Sequence, residues 1–273
     1  MITGAAGGLG AATAELFARR GWRVLAADLQ PPRSVTGDTI ALELDVTDVD
    51  SVTAALEQAR EHAPDGLQAV VTFAGIMLVG PLVEVEESDM RRLFEVNVLG
   101  TYRTVKGAFP LIQRGGGRVI TISSETGWQK ALMLNGPYAM TKHAIEAYTD
   151  ALRRELMFLD IPVSTIQPGP FATNMVDGIR SAFDKARANS ACFAALIGKV
   201  GDMAVKEQSR AHNPQILAEA VWEAATAAKP RRRYSVRPDP RRALMHRLPD
   251  SLLDPLLRKA LAPNGIRRDH STT

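Results

Sequence analysis

"ITGAAGGLGAA", residues 2–12, sets Gly4, Gly8 and Gly10 at the place where an apolar strand would give way to a helix. Glycines at such a turn let the backbone come close to a pyrophosphate, whose charge is then met by free amides and the positive end of the helix dipole. Alone, a glycine-rich turn is a modest signal. The next residues strengthen it: one helical stretch near residues 8–20, then "RVLAAD" at 23–28, a strand ending on the acidic Asp28. A carboxylate 18 residues beyond Gly10 can accept hydrogen bonds from the adenosine ribose hydroxyls and repels a 2′-phosphate, which favours NAD. Arg33, on a loop able to reach a phosphate, keeps NADP as the alternative.

The chain continues to alternate. "TIALELDV" at 39–46, "QAVVTFAG" at 68–75, "RVITISS" at 118–124 and "PVSTIQPG" at 162–169 read as strands buried on both faces, and "RRYSVRP" as a late closing strand. Helical periods fall near 48–62, 86–112, 137–159 and 214–228. Strands alternating with helices imply right-handed crossovers, hence an α/β fold: one domain holding a Rossmann-like, doubly wound parallel sheet with helices on both faces. The domain is expected over 1–238, with 171–211 a mobile cover over a pocket. Residues 239–273 form a basic extension in which prolines permit short amphipathic helices but no long one.

Composition is globular, with 45% hydrophobic and 23% charged residues among 273. Cys192 is the only cysteine, which excludes an intrachain disulfide. No apolar run reaches membrane-spanning length and no signal-peptide order opens the chain, so a soluble cytoplasmic protein is expected. The net charge of +3 is local: residues 229–273 carry twelve Lys/Arg against four Asp/Glu. Such a tail suits solvent, a subunit contact or a peripheral meeting with anionic lipid; no nucleic-acid partner is expected.

"GPYAMTKHAIEAY", residues 136–148, places Tyr138 and Lys142 four apart in a helical period, so both side chains leave one face and can meet a common ligand. By itself that pair reads equally well as a solvated helix face. The motifs around it decide. "TGAAGGLG", "LDVTD", Asn97 within "FEVNVLG", "TISS", "YAMTK" and "PGPFAT" stand in the order and approximate spacing of the short-chain dehydrogenase/reductase family, in its single-domain branch. The chain resembles that family closely over residues 1 to about 175.

The resemblance implies an NAD(P)-dependent oxidoreductase that moves a hydride between nicotinamide and the carbinol or carbonyl carbon of an alcohol or ketone. It implies a tetrad of Ser124, Tyr138, Lys142 and Asn97. Tyr138 is then the general acid/base, Lys142 holds the nicotinamide ribose and tunes the phenol, Ser124 bonds the substrate oxygen, and Asn97 holds a water linking Lys142 to solvent. An unperturbed phenol, with a pKa of about 10, is a poor base at neutral pH; the ammonium and the positive nicotinamide are expected to lower it. Ser123 is the competing hydroxyl, since strand neighbours point to opposite faces. The cofactor contacts implied are Thr3, Gly4, Gly8, Leu9, Gly10, Asp28, Ala74, Gly75, Tyr138, Lys142, Pro168, Gly169 and Phe171, with Asp45 and Val46 touching adenine and Thr173 the carboxamide.

Three departures from the family pattern stand out. Only Met1 and Ile2 precede the glycine turn, so the first strand is short, and this chain is expected to melt below one extended upstream. "TFAG" replaces two asparagines with Thr72 and Phe73; Thr72 can still bond neighbouring backbone, and Phe73 cannot. Ser124 and Tyr138 are fourteen positions apart, one more than the family commonly has, in a loop that absorbs insertions. Around the expected pocket, Trp128, Leu132, Met133, Leu134, Phe171, Met175 and Phe193 suggest an apolar alcohol or ketone, steroid-, retinoid- or lipid-like. The resemblance makes a homodimer or homotetramer the expected assembly. The altered "TFAG" leaves open a catalytically silent dinucleotide-binding scaffold, which the intact Ser-Tyr-Lys-Asn set argues against.

Overall fold

The β-branched runs become one parallel sheet in the computed structural model, which describes residues 1–32, 36–172, 175–208 and 211–262, the side chains of 175–177 and 208 excepted. Its strands are β1 (Ile2–Thr3), β2 (Val24–Asp28), β3 (Thr39–Glu43), β4 (Ala69–Thr72), β5 (Arg118–Ile122), β6 (Val163–Pro168) and β7 (Arg233–Val236). They lie in the order β3-β2-β1-β4-β5-β6-β7, each neighbouring pair parallel. The chain steps outward from β1 to β3 and returns to the other side of β1 with β4. That reversal opens a crevice above the carboxyl ends of β1 and β4, where a doubly wound sheet binds its ligand.

The helices are α1 (Gly8–Arg19), α2 (Val49–His62), α3 (Glu87–Phe94), α4 (Gly100–Arg114), α5 (Gly136–Leu156), α6 (Met175–Asn189), α7 (Ala194–Gln208), α8 (Pro214–Thr226), α9 (Pro240–Arg247) and α10 (Asp250–Leu261). Strand alternation sorts the core into two layers. Leu25, Val70 and Val119 meet α2, α4 and α5 on one face. Val24, Val71 and Ile120 meet α1 and α8 on the other.

The single helix expected at 86–112 is α3 and α4 joined through a π-helical stretch, Glu95–Leu99. Its wider turn carries Asn97, which is buried. The segment read as a loose cover is largely the pair α6 and α7, whose Phe183 and Ile197 pack with Val79 and Leu134 in a satellite core. Between the helices, Glu84 accepts hydrogen bonds from the Ser190 hydroxyl at 2.5 Å and the Cys192 amide at 2.8 Å.

At the C-terminal end Pro240 opens α9 and Pro249 precedes α10, where a missing N–H costs nothing. Pro255 lies inside the short α10 without breaking it: Leu253 and Leu261 are buried and hold the helix down. The short first strand is as read: β1 has two residues, yet Ile2 pairs with Ala26 on one side and Val71 on the other. The Met1 ammonium is buried, donates to the Ala69 carbonyl at 2.8 Å, and is pushed down to about 5 by that burial. A cavity of about 360 Å³, lined by Met1, Trp22, Val24, Leu67 and Ala69 among others, sits there, at the amino end of the strands and away from the crevice. Among the described residues no helix is long and apolar enough to cross a membrane.

Candidate active site

The glycine turn leaves β1 and folds tightly under α1. Gly4 has φ +67°, and a Cβ there would stand 2.7 Å from the Ala74 nitrogen; a Cβ on Gly10 would lie 2.1 Å from the Gly4 carbonyl oxygen. Only glycine fits either place. The first turn of α1, Gly8 to Gly10 included, has neither a capping side chain nor an acidic residue, so the positive end of the helix dipole is unopposed. Asp28, at the end of β2, accepts from the Ala6 amide at 3.0 Å through one oxygen and from the Gln30 amide at 3.2 Å through the other, which pins it beside the turn. A cradle without side chains, an uncapped helix start and an acid one strand away fit the pyrophosphate and adenosine ribose of a dinucleotide.

Ser124, Tyr138 and Lys142 come together where the end of β5 faces the start of α5. Pro137 stands in the first turn of α5, beside Tyr138, and Lys142 follows one turn later on the same face. Ser124 stands beside the Tyr138 hydroxyl and favours its phenolate form. Lys142 is buried, with its ammonium 5.4 Å from the Tyr138 ring centre, and donates to the Ile122 carbonyl at 3.0 Å. Ser123 turns the other way: its hydroxyl donates to the Lys142 carbonyl at 3.4 Å, so it braces the α5 backbone.

The protein's own groups, taken without the positive nicotinamide, do not acidify the phenol. Burial pushes Tyr138 up to about 12, and Ser124 is the smaller, opposing influence. The Lys142 ammonium meets a carbonyl and the ring face, and burial lowers it to about 8 against the pull of Glu146. At neutral pH Tyr138 is therefore a neutral phenol, suited to give a proton and ill suited to take one.

The Asn97 side chain is engaged through both its oxygen and its NH₂. Its oxygen accepts from the Ile76 amide at 2.8 Å, and its NH₂ donates to the Ile76 carbonyl at 2.9 Å and the Thr141 hydroxyl at 3.1 Å. Both amide hydrogens are used within the protein, so the side chain ties the loop after β4 to α5. In "TFAG", the Thr72 hydroxyl is buried without a partner, against the expectation that it bonds neighbouring backbone, and Phe73 packs on the sheet face toward α1 and α8. Ala74 donates its amide to the Thr3 hydroxyl at 3.3 Å, and Gly75 lies against Asn97, holding this loop over the glycine turn.

The remaining expected contacts are distributed around the same crevice. Asp45 accepts from the amide and hydroxyl of Thr47 at 2.8 and 2.7 Å, shaping the turn into α2, and Val46 is buried against Gly100. Pro168 ends β6; a Cβ on Gly169 would lie 1.9 Å from the Arg237 oxygen. Phe171 is corrected as a pocket residue: its ring is buried with Leu217, Val221 and Tyr234 on the sheet face, because a bridge to His212 draws it inward. Leu134, Met133 and Phe193 join the satellite core under α6 and α7. Thr173, Arg33 and the side chain of Met175 lie outside the described residues. Sequence reasoning missed Glu125, Gln129 and Lys130, which lie just beyond Ser124 and are contacted by residues more than a hundred positions away, where no local pattern signals them.

The family model for short chain dehydrogenases matches residues 1–183. Retinol dehydrogenase 7 of Rattus norvegicus is 32% identical over 254 residues, covering 86% of this chain and 78% of its own length. The NADPH-dependent 3-dehydrocapnine reductase of Ornithobacterium rhinotracheale is 33% identical over 278 residues, 96% of each chain. Among solved structures, the ligand-free aldohexose dehydrogenase AldT of Thermoplasma acidophilum superposes with a TM-score of 0.67 at 27% identity, covering 82% of this chain and 86% of that one. Since the match runs from the glycine turn through the helix that bears Tyr138 and past it, the chain belongs to the short-chain dehydrogenases, an oxidoreductase family that acts on CH–OH donors with NAD(P).

Proposed function

We propose that this protein interconverts an apolar ketone and its secondary alcohol, with Tyr138 passing the proton and with carbonyl reduction the direction favoured near neutral pH. The observation that carries the reading is the half-buried Tyr138 beside Ser124, with the Lys142 ammonium 5.4 Å from its ring centre. A bound nicotinamide supplies or takes the hydride at the carbon. The hydroxyls of Ser124 and Tyr138 hold the carbonyl oxygen and orient the carbon. As negative charge grows on that oxygen, Tyr138 gives up its proton to it, and the nearby Lys142 cation favours the phenolate left behind. The same groups run backwards for oxidation.

The apolar character of the substrate is supported by the packing of Met77, Val79, Met133 and Leu134 with α6 and α7, and by a relative named for retinol, an apolar alcohol. Within NAD(P), Asp28 supports NAD, while a relative named as NADPH-dependent stands on the other side. Following reduced-nicotinamide absorbance with 2-decanone, an androstane ketone and an aldohexose, each with both cofactors, tests the reading; turnover of the sugar alone removes the apolar substrate, and no turnover removes the activity. Asp28→Ala should raise kcat/KM with NADP(H) relative to NAD(H) by about tenfold, the loss of roughly 1.4 kcal/mol of charge repulsion. An unchanged ratio would take the NAD assignment away.

A further inference from the structure

The segment just beyond Ser124 is held from the far end of the chain. Glu125 is only 6% exposed, and its carboxylate accepts from the Asp239 amide at 2.7 Å at the start of α9. Arg242, also on α9, lies 3.8 Å from the Glu125 carboxylate and donates to the Gln129 side-chain oxygen at 3.3 Å. The Lys130 amide donates to His246 Nδ1 at 3.2 Å, and its ammonium donates to the Leu248 carbonyl at 2.7 Å and pairs with Asp250. The Trp128 ring meets the edge of His246 at 5.3 Å between centres.

These contacts lead back to the reacting hydroxyls. Thr126, next to Glu125, donates its amide to the Ser124 oxygen at 3.2 Å, and Ser124 in turn stands beside the Tyr138 hydroxyl. The path from α9 to Tyr138 is thus Glu125, the Thr126 amide and the Ser124 hydroxyl. Packing economy does not account for this arrangement. A buried carboxylate is costly unless well paired, and here the Thr126 hydroxyl, the Gln129 NH₂, one Arg242 NH₂ and the Trp128 N–H are buried without partners. A half-satisfied polar network is worse for stability than apolar packing of the same shape.

We propose that α9 is a clasp on the Ser124 loop, and that Glu125 and Arg242 are positioning residues which hold the Ser124 hydroxyl in register with Tyr138. The role rests on the proposed chemistry of Ser124 and Tyr138. Arg242 reaches two side chains of the loop at once, so its loss frees Glu125 and Gln129 together. Lys in its place keeps the charge beside Glu125 but cannot fork to Gln129.

The experiment compares full-length wild type, Arg242→Ala and Arg242→Lys in three measurements: steady-state kinetics with the ketones above, cofactor affinity by reduced-nicotinamide fluorescence, and amide hydrogen exchange by mass spectrometry. Arg242→Ala should lower kcat about tenfold with KM and cofactor Kd within about twofold. Exchange over residues 125–130 should quicken at least tenfold while the glycine turn keeps wild-type protection. Arg242→Lys should recover a third or more of kcat, and it is the variant to read if Arg242→Ala does not fold. Wild-type exchange over 125–130 in the substituted protein overturns the clasp, and so does faster exchange with an unchanged kcat. If the wild type itself turns over no ketone, the proposed activity falls while the exchange data still decide whether α9 holds the loop.

Discussion

Tyr138→Phe should lower kcat for carbonyl reduction at least about a thousandfold, a transition-state loss of about 4 kcal/mol, and should leave cofactor affinity within about twofold. The ring is retained, so the packing at the start of α5 and the face met by the Lys142 ammonium at 5.4 Å persist. What disappears is the proton donor and its polar approach to Ser124. Steady-state kinetics, fluorescence titration of reduced cofactor and thermal melting separate catalysis, binding and folding. A variant that keeps more than a tenth of wild-type kcat means that the proton comes from elsewhere.

The protonation states add a pH signature to the same prediction. With Tyr138 pushed up to about 12, the neutral phenol is fully populated across pH 6–8, so kcat for reduction should be flat there. Oxidation needs the phenolate, whose fraction rises tenfold per pH unit below the phenol's pKa, so kcat for oxidation should climb with pH. The Lys142 ammonium, lowered to about 8, is half lost at that pH and mostly lost one unit above it. The climb should then flatten, because the cation that favours phenolate disappears with it.

The parts of this molecule legible in its sequence are those fixed by short-range periodicity. The runs at 23–28, 39–46, 68–75, 118–124 and 162–169 each contain a strand, and all but the edge strand β3, where Leu42 alone is buried, are covered on both faces. The four-residue step from Tyr138 to Lys142 likewise became a shared helix face. The misreadings arise where depth or distance decides. A lysine at +4 announces a cation near the phenol, but not that its nitrogen turns to the Ile122 carbonyl or that burial outweighs it. The π-helical turn at Glu95–Leu99 changes the helical period by a single residue, too little to show against the surrounding pattern, yet it carries the buried Asn97. Phe171 looked like a pocket wall because it is aromatic and comes after a turn; the His212 bridge, formed 41 positions later, draws it into the core. The Glu125–Arg242 contact joins residues 117 positions apart and has no local trace.

Gly10→Ala should be among the most damaging single-methyl changes in the chain, and Gly7→Ala, three residues away, close to silent. A Cβ at position 10 would stand 2.1 Å from the Gly4 carbonyl oxygen and 2.9 Å from its carbon. Those are backbone atoms, so no rotamer change relieves the clash, and the turn itself must widen. Gly4 has no freedom to yield on the other side, because its own α-carbon is closed in by the Ala74 backbone at 2.7 Å from where a Cβ would be. Overpacking against fixed backbone costs about 3 kcal/mol, which for a chain of this size lowers Tm by roughly 5 °C. The cofactor loses more, since the first-turn amides of α1 must shift away from the place where a pyrophosphate would meet them; its affinity should fall at least about a hundredfold. At Gly7 the added carbon would make an ordinary contact of 3.4 Å with the Gly4 oxygen, and φ is −77°, which any residue adopts. Gly7→Ala should therefore cost within about 1 kcal/mol, the usual penalty of a poorer helix cap. Calorimetry and fluorescence titration on the two variants decide it: equal losses in both would mean that the turn answers to helix capping alone, and a Gly10→Ala protein that binds reduced cofactor like the wild type would mean that the dinucleotide does not lie over this turn.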